Sequence, residues 1–178
     1  NSFENFKNNA DSQMGLVENY IKDFYSRLDE NINMIATEPT VKRADDTIRS
    51  YKNTAAETNM TPSKNGGIEQ EIFEIFNQYA ETHPETIYVY AATESGGYVV
   101  WPESSIDKGY DPTTRGWYQD AIKANGEIIR TAPYIDLTTN SLITSNARAL
   151  TNGEGKVIGT IGIDVSQSVI SEMLSKMK

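Results

Sequence analysis

The segment from Tyr110 to Tyr118 carries the side chains of this sequence that are best suited to binding a small charged molecule. Arg115 offers a planar guanidinium, which can hold a carboxylate through two parallel hydrogen bonds. Trp117 adds an indole N–H that only donates hydrogen bonds, and Tyr110 and Tyr118 add phenolic hydroxyls. One permanent cation among neutral donors therefore predicts a site for a carboxylate.

Two aspartates further along the chain add the opposite charge. Asp136 lies in Tyr134-Ile-Asp136, where a turn is predicted, and Asp164 lies late in a predicted strand, in Gly162-Ile-Asp164. A free amino acid loses the water molecules bound to its two charged groups when it enters a pocket. The pocket must therefore replace the hydrogen bonds that this water made. Arg115 suits the carboxylate and the two aspartates suit the ammonium group. The set therefore predicts an amino-acid site, and its one excess negative charge weakly favours a ligand with a second cationic group.

The pocket for the ligand's own side chain is less defined. The candidates lie at strand positions around the predicted sheet: Tyr88, Tyr90, Trp101, Thr138, Thr144 and Ser145. For Trp101 we favour a place in the core.

Enzyme chemistry is the main alternative from a different class. Asp136 and Asp164 could form a carboxylate pair for glycoside or proton chemistry. The sequence has no cysteine, however, and its single histidine, His83, precedes Pro84 at a helix end and is predicted to be exposed. No serine lies in a nucleophile elbow, no phosphate loop occurs, and no loop has calcium-binding spacing. We therefore predict no catalytic residue, no metal ligand and no cofactor, although a carboxylate-only metal site stays open.

The composition indicates one globular domain without affinity for nucleic acid. The chain has 178 residues, with 25 acidic against 16 basic side chains and a net charge of −9. A protein this acidic is repelled by nucleic-acid phosphates. No run approaches the ~18 apolar residues that a membrane-spanning helix needs.

The first 35 residues are predicted to form one long helix, because apolar residues recur in two heptad series. The first series is Phe3, Ala10, Val17 and Phe24, and the second is Met14, Ile21, Leu28 and Ile35. Such an apolar seam packs against its own domain or against a second subunit. Different parts of the helix can do each. A homodimer through this helix is therefore one of the predictions.

The remaining elements alternate between helices and a sheet. A second helix is predicted from Lys42 to Glu57, then a loop to Gly67 and a third helix that ends near Thr82. Strands are predicted over residues 87–92, 98–101, 128–132, 142–150 and 157–165, with a short helix over 115–124. Ser166 is a suitable N-cap for a last helix with Val169, Ile170, Met173, Leu174 and Met177 on its apolar face. The fold class is α+β, with a five-stranded antiparallel sheet flanked by helices and a long N-terminal helix.

On these residues the chain resembles the membrane-distal module of a double Cache sensor domain, of the PAS-like (PDC) extracytoplasmic type. Amino-acid-binding members carry a tyrosine, four residues, an arginine, one residue and then Trp-Tyr, which here are Tyr110, Arg115, Trp117 and Tyr118. The family's ammonium-binding aspartates correspond to Asp136 and Asp164. The resemblance covers nearly the whole chain.

The resemblance implies an extracytoplasmic, non-enzymatic sensor of a transmembrane receptor, either a chemoreceptor or a sensor kinase. It divides the chain into the helix of residues 1–38, a ligand-binding module over 39–165 and a closing helix over 166–178. It also implies a membrane-proximal module after that helix and membrane spans outside both ends. The alternatives are a Cache sensor for amines or small carboxylates, or a ligand-free dimerisation scaffold.

Overall fold

The computed structural model describes residues 1–176, apart from the side chains of Val169 and Met173. Helix α1 spans Ser2–Ala36 and begins where the Asn1 side chain accepts hydrogen bonds from two backbone N–H groups. Its second half, from Phe24 onward, is packed into the core, whereas Met14 in the first half is 63% exposed. The long helix is thus confirmed, and only part of its apolar seam is buried within this domain.

The centre of the fold is an antiparallel sheet. Its strands are β2 (Thr86–Thr93), β3 (Tyr98–Trp101), β5 (Ile129–Arg130), β6 (Tyr134–Asp136), β7 (Ser141–Thr151) and β8 (Val157–Ser166). The order is β3-β2-β8-β7-β5, and β6 also pairs with β7. The predicted α+β fold is confirmed, but the sheet has six strands, because Tyr134–Asp136 pairs with the start of β7 instead of leading directly into a turn.

Three further helices and a small second sheet complete the described part of the chain. They are α2 (Gly67–Thr82), α3 (Gly116–Lys123) and α4 (Gln167–Ser175), with β1 (Thr58–Asn59) paired to β4 (Ser105–Ile106). Ser166 caps α4 as predicted, since its hydroxyl accepts a hydrogen bond from the Ser168 backbone N–H at 3.1 Å. Ile170 is buried, whereas Met177 lies outside the described residues.

The predicted helix from Lys42 to Glu57 is wrong. Only a 3-10 turn forms at Val41–Arg43, and the chain then runs irregularly. The Asp45 side chain accepts a hydrogen bond from the Thr47 backbone N–H at 3.0 Å, which competes with helical pairing. Ile48 and Tyr51 are buried separately, so tertiary packing determines the path of this segment.

Alternation along the strands gives the sheet two different faces. Val89 on β2 and Ile163 on β8 belong to one hydrophobic core with α1 and α2. Their neighbours Tyr90 and Asp164 point to the opposite face, where the candidate site lies. Among the described residues, no helix is both long and apolar enough to cross a bilayer.

Candidate functional site

A cavity of about 210 Å³ lies on the sheet face opposite α1 and α2. Five of the six predicted binding residues line it: Tyr110, Arg115, Trp117, Asp136 and Asp164. The other lining residues are Met60, Tyr88, Tyr90, Tyr98, Val100, Tyr134 and Ser145. The cavity therefore brings together residues that are separated by more than a hundred positions in the sequence.

The turn before α3 places Arg115 and Trp117. The Asp111 side chain accepts hydrogen bonds from the Thr113 backbone N–H at 3.0 Å and from its hydroxyl at 2.7 Å. This caps the 3-10 turn Pro112–Thr114, after which Arg115 is extended, with φ −81° and ψ 146°. Arg115 is exposed, forms no ion pair with any described residue, and has its guanidinium carbon 5.9 Å from the centre of the Tyr110 ring. Its donors are therefore available to a ligand.

Asp164 lies at the floor of the cavity and is only 6% exposed. On β8 it pairs with Tyr88 of β2 and with Ser145 of β7, so these three residues form a row across the sheet. The Tyr90 hydroxyl donates a hydrogen bond to its carboxylate at 2.6 Å. Burial raises the pKa of Asp164 to about 7, although hydrogen bonds from Tyr90 and Ser145 partly oppose that effect. The Asp164 carboxyl is thus much harder to ionise than that of an exposed aspartate.

Gly162 makes the contact between Tyr90 and Asp164 possible. It pairs with Tyr90 across β2 and β8, and a Cβ atom built on it would lie 2.6 Å from the Tyr90 ring. Only glycine leaves room for the ring to lie over β8 and reach the carboxylate two residues further on. The glycine of the Gly162-Ile-Asp164 motif is therefore a positioning residue.

Asp136 ends β6 at the opposite side of the cavity from β3. It accepts hydrogen bonds from the Tyr88 hydroxyl at 3.0 Å, and from the Thr139 backbone N–H and hydroxyl at 3.0 and 2.6 Å. Burial alone would raise the pKa of Asp136, but the hydrogen bonds from Thr139 and Tyr88 outweigh it and the pKa is lowered. Asp136 thus remains ionised, in contrast to Asp164.

Aromatic rings form most of the remaining wall. The Trp117 ring meets Tyr90 edge to face with centroids 5.0 Å apart, and Tyr98 lies 5.2 Å from Tyr110. Burial raises the pKa of Tyr110, and hydrogen bonding with Tyr98 and Trp117 partly offsets that rise. Burial also raises the pKa of Tyr134 to about 12. These hydroxyls keep their protons and act as neutral donors.

The sixth predicted binding residue, Tyr118, is not among the cavity-lining residues. It follows Trp117 on α3 and is buried, with only 7% of its surface exposed. Successive residues on a helix point about 100° apart, so Trp117 faces the cavity while Tyr118 points into the adjoining interior.

The candidates for the side-chain pocket divide between the two faces. Tyr88, Tyr90 and Ser145 line the cavity. Trp101 donates its indole N–H to Asn77 of α2 at 3.0 Å, and the Thr144 hydroxyl lies 3.1 Å from that of Tyr25 on α1.

Sequence reasoning missed Tyr98, Val100, Tyr134 and Met60 as lining residues. Alternation along β3 could have found the first two, because their side chains share one face of that strand. For Met60 no local signal exists, since the β1–β4 pairing brings it to the cavity.

The features that enzymes use are sparse in the described part of the chain. His83, predicted to be exposed, is half-buried and stacks on Tyr79 with ring centroids 3.9 Å apart. No cluster of three or more metal-ligating acids or histidines occurs among the described residues.

Comparison with known proteins identifies the family. Residues 4–172 match the family described as methyl-accepting chemotaxis protein-like, first PDC sensor domain. The chain belongs to this family of sensor domains. The resemblance drawn from the sequence is thus confirmed, as is the prediction of a sensor module in place of an enzyme.

Curated relatives of this PDC sensor domain include chemotaxis receptors. It is 38% identical over 96 residues to the methyl-accepting chemotaxis protein McpB of Bacillus subtilis, a stretch that covers 54% of this chain and 14% of McpB. It is 35% identical over 85 residues to McpG of Pseudomonas putida, covering 48% of this chain and 14% of McpG. The PDC sensor domain therefore corresponds to a small part of these receptors.

Solved structures with the same fold are ligand-binding domains of chemoreceptors. The sensory domain of Campylobacter jejuni Tlp3 with isoleucine bound has a TM-score of 0.71 at 19% identity, covering 98% of this chain and 64% of that one. The amino acid chemoreceptor PctC of Pseudomonas aeruginosa with GABA has a TM-score of 0.67 at 19% identity, covering 89% and 60%. The PDC sensor domain thus spans less than two thirds of each of these chains.

Proposed function

We propose that this PDC sensor domain binds a free amino acid by its α-carboxylate and α-ammonium groups. One observation carries the proposal: a guanidinium without an ion-pair partner among the described residues shares a small cavity with two carboxylates. Arg115 takes the carboxylate, with help from the Trp117 and Tyr110 donors. Asp136 and Asp164 take the ammonium group. Short carboxylates would leave the acidic pair unused, and simple amines would leave Arg115 unused.

The electrostatics of the cavity support a zwitterion. An ammonium group beside Asp164 favours the ionised carboxyl and so lowers its pKa from the value of about 7 in the empty cavity. Each charge-assisted hydrogen bond contributes roughly 1.5–3 kcal/mol. Four or five such bonds reach the roughly −8 kcal/mol of a micromolar complex. The fold neighbours in complex with isoleucine or GABA make the same class of ligand reasonable here.

We propose further that the domain lies outside the cytoplasm as part of a transmembrane chemoreceptor, and that it pairs with a second copy through α1. Ligand binding then shifts the population between two receptor states through α1 or α4. The exposed apolar residues in the first half of α1, including Phe3, Met14 and Val17, support the pairing.

The test is a binding panel of the twenty amino acids, simple amines and small carboxylates, measured by thermal shift and calorimetry. A ligand present at 100 times its Kd adds about 2.7 kcal/mol of stability. We expect Arg115→Ala to weaken the best amino acid by roughly 10- to 100-fold, and Asp136→Asn to do likewise.

Two exposed positions supply matched controls. Arg27→Ala on α1 and Asp120→Asn on α3 remove charges of the same sign at exposed positions outside the cavity. We expect the affinity of each control to stay within about twofold of that of the unchanged chain, as for other surface substitutions. Unchanged affinity in Arg115→Ala, or a panel in which only amines bind, rejects the proposal.

A further inference from the structure

The acidic groups and the aliphatic side chains of the cavity lie on different elements. Across the sheet, Asp164 and Asp136 come from β8 and β6. The edge strand β3 and the loop after β1 contribute Tyr98, Val100 and Met60. Val100 and Met60 are the aliphatic side chains among the described lining residues. They are buried, at 5% and 4% exposure, and belong to one cluster of buried residues.

Most polar groups of the wall already have partners within the protein. The Tyr88 hydroxyl donates to Asp136, and the Tyr90 hydroxyl donates to Asp164. The hydroxyls of Tyr134 and Ser145 lie 2.5 Å apart. A side-chain hydrogen bond also joins Tyr98, on the same strand as Val100, to Tyr110. Because these hydroxyls are engaged within the protein, a polar ligand group beside Met60 would exchange its bonds to water for contact with an apolar side chain.

An amino acid held at both charged groups can direct its side chain only toward the rest of the cavity. With the carboxylate at Arg115 and the ammonium at the two aspartates, the remaining wall is the β3 edge. We infer that the ligand is a neutral amino acid with an apolar side chain, and that Met60 and Val100 contact that side chain. This inference rests on the proposed function and names the ligand class for the same site.

The composition of the wall disfavours the charged alternatives. Among the described lining residues, Arg115 is the one cation and Asp136 and Asp164 are the acids. A lysine-like side chain would need a further carboxylate at the β3 edge, and an aspartate-like side chain would need a further cation. Neither is present among those lining residues. The sequence predicted a weak preference for a second cationic group from the one excess negative charge of the site, and this geometry does not favour it.

The size of the cavity limits the length of the side chain. At about 210 Å³ it is smaller than the roughly 300–1,000 Å³ of pockets for drug-sized ligands. Each buried methylene contributes roughly 0.8 kcal/mol, which is about a fourfold gain in affinity. The flexible thioether of Met60 suits this wall, because methionine adapts to side chains of different shape.

The test is a calorimetric series on the unchanged chain with glycine, alanine, 2-aminobutyrate and norvaline. We expect affinity to rise about fourfold for each methylene until the cavity is full. Serine matches 2-aminobutyrate in size but ends in a hydroxyl, so it should bind about tenfold more weakly. Aspartate and lysine should be weaker still. A flat or falling aliphatic series, or tighter binding of serine, aspartate or lysine, overturns the inference.

Variants at Met60 give a second, independent arm. Met60→Gln keeps the length of the side chain but makes its end polar, so norvaline should lose about tenfold in affinity while glycine changes less than twofold. Met14→Gln on the exposed face of α1 is the matched control and should change neither. The ligand series on the unchanged chain decides the question even if Met60→Gln folds poorly.

The two proposals fail in different ways. If no free amino acid binds, or if Arg115→Ala leaves the affinity for glycine unchanged, the proposed amino-acid site is wrong. The inference about the side chain is then wrong as well. If glycine binding depends on Arg115 and the aliphatic series is flat, only the apolar side-chain preference is wrong.

Discussion

At the scale of single residues, the two aspartates of the cavity differ in their pKa, and we expect this difference to make ligand binding depend on pH. Asp136 stays ionised, whereas Asp164 has a pKa of about 7 in the empty cavity because it is buried. An ammonium ligand needs Asp164 ionised, so below that pKa binding must release a proton. We expect affinity to rise up to tenfold per pH unit between about pH 5 and 7, and to level off above. Calorimetry in buffers of different ionisation enthalpy measures the released proton directly.

The same residue makes the stability of the empty protein fall as pH rises. The folded pKa of Asp164 is about 7 against a model value of 3.8, so between these values the folded state binds more protons than the unfolded state. The loss of stability therefore grows from about pH 4 to about pH 7 and is then constant. Asp164→Asn removes this contribution, and its melting temperature should exceed that of the unchanged chain by several degrees at pH 7.5 but by less at pH 4.5. An equal difference at both pH values contradicts the assignment.

Gly162 tests whether the position of Tyr90 matters for binding. Gly162→Ala forces the Tyr90 ring away, because the new Cβ atom would lie 2.6 Å from it. We expect a stability loss of roughly 1–3 kcal/mol from overpacking, together with weaker ligand binding. Gly153→Ala is the matched control, since no atom lies within 4 Å of its Cβ position. Equal melting temperatures and affinities for both variants would show that the ring tolerates displacement.

At the scale of elements, sequence periodicity predicted the helices and strands that have a local repeat. It failed where contacts between residues distant in the sequence determine the structure. The heptads of α1 indicate a helix, and the β-branched and aromatic residues of β2 indicate a strand. The segment after Lys42 has helix-forming residues, yet it is irregular because Ser50 pairs with Gly97 and Ile48 is buried. The strand β6 has only three residues, which is too short for an alternation pattern to predict.

The candidate site follows the same division. Three residues of the contiguous Tyr110–Tyr118 motif line the cavity and Tyr118 does not, because the direction of α3 determines which of its rings faces the cavity. Asp136 and Asp164 were predicted from two short motifs, which lie on separate strands. Met60 could not be predicted, since its place depends on pairing between β1 and β4, which are more than forty residues apart.

A polar network joins the cavity strands to the helices on the other face. The Tyr25 hydroxyl of α1 lies 3.1 Å from the Thr144 hydroxyl of β7 and accepts a hydrogen bond from the Gln167 side chain of α4 at 2.8 Å. The Arg130 guanidinium lies 4.2 Å from the centre of the Tyr25 ring. Thr144 is adjacent to the cavity residue Ser145, so a shift of β7 would reach both α1 and α4 through the Tyr25 side chain.

Removing the Tyr25 hydroxyl should loosen this connection without changing the cavity. We expect Tyr25→Phe to cost about 1–2 kcal/mol of stability, or roughly 4 °C in melting temperature, while ligand affinity changes less than threefold. Hydrogen exchange should then show α4 less protected by ligand than in the unchanged chain. Tyr118→Phe is the control, because the Tyr118 hydroxyl has no hydrogen bond with any described residue. If both variants keep full protection of α4, the network does not couple the elements.

At the scale of the whole molecule, burial is unevenly distributed along α1. Leu28 and Ile35 in the second half are 3% exposed, whereas Phe3 and Phe6 in the first half are each 72% exposed. An isolated helical half that is not covered by its own domain gains little stability from propensity alone. A second copy of the chain can cover this seam, since the heptad spacing that packs the second half continues through the first.

The net charge of −9 opposes such pairing, and this makes the salt dependence of association informative. We expect concentration-dependent dimers in sedimentation velocity, and tighter pairing at higher salt because screening reduces the repulsion between copies. Met14→Glu places like charges face to face across a two-fold interface and should weaken pairing at least about tenfold. Met34→Glu, on an exposed position of the second half of α1, should leave it unchanged. A chain that stays monomeric at every concentration and salt, or equal effects of both substitutions, would remove α1 as the dimer interface and leave amino-acid binding as a property of the single domain.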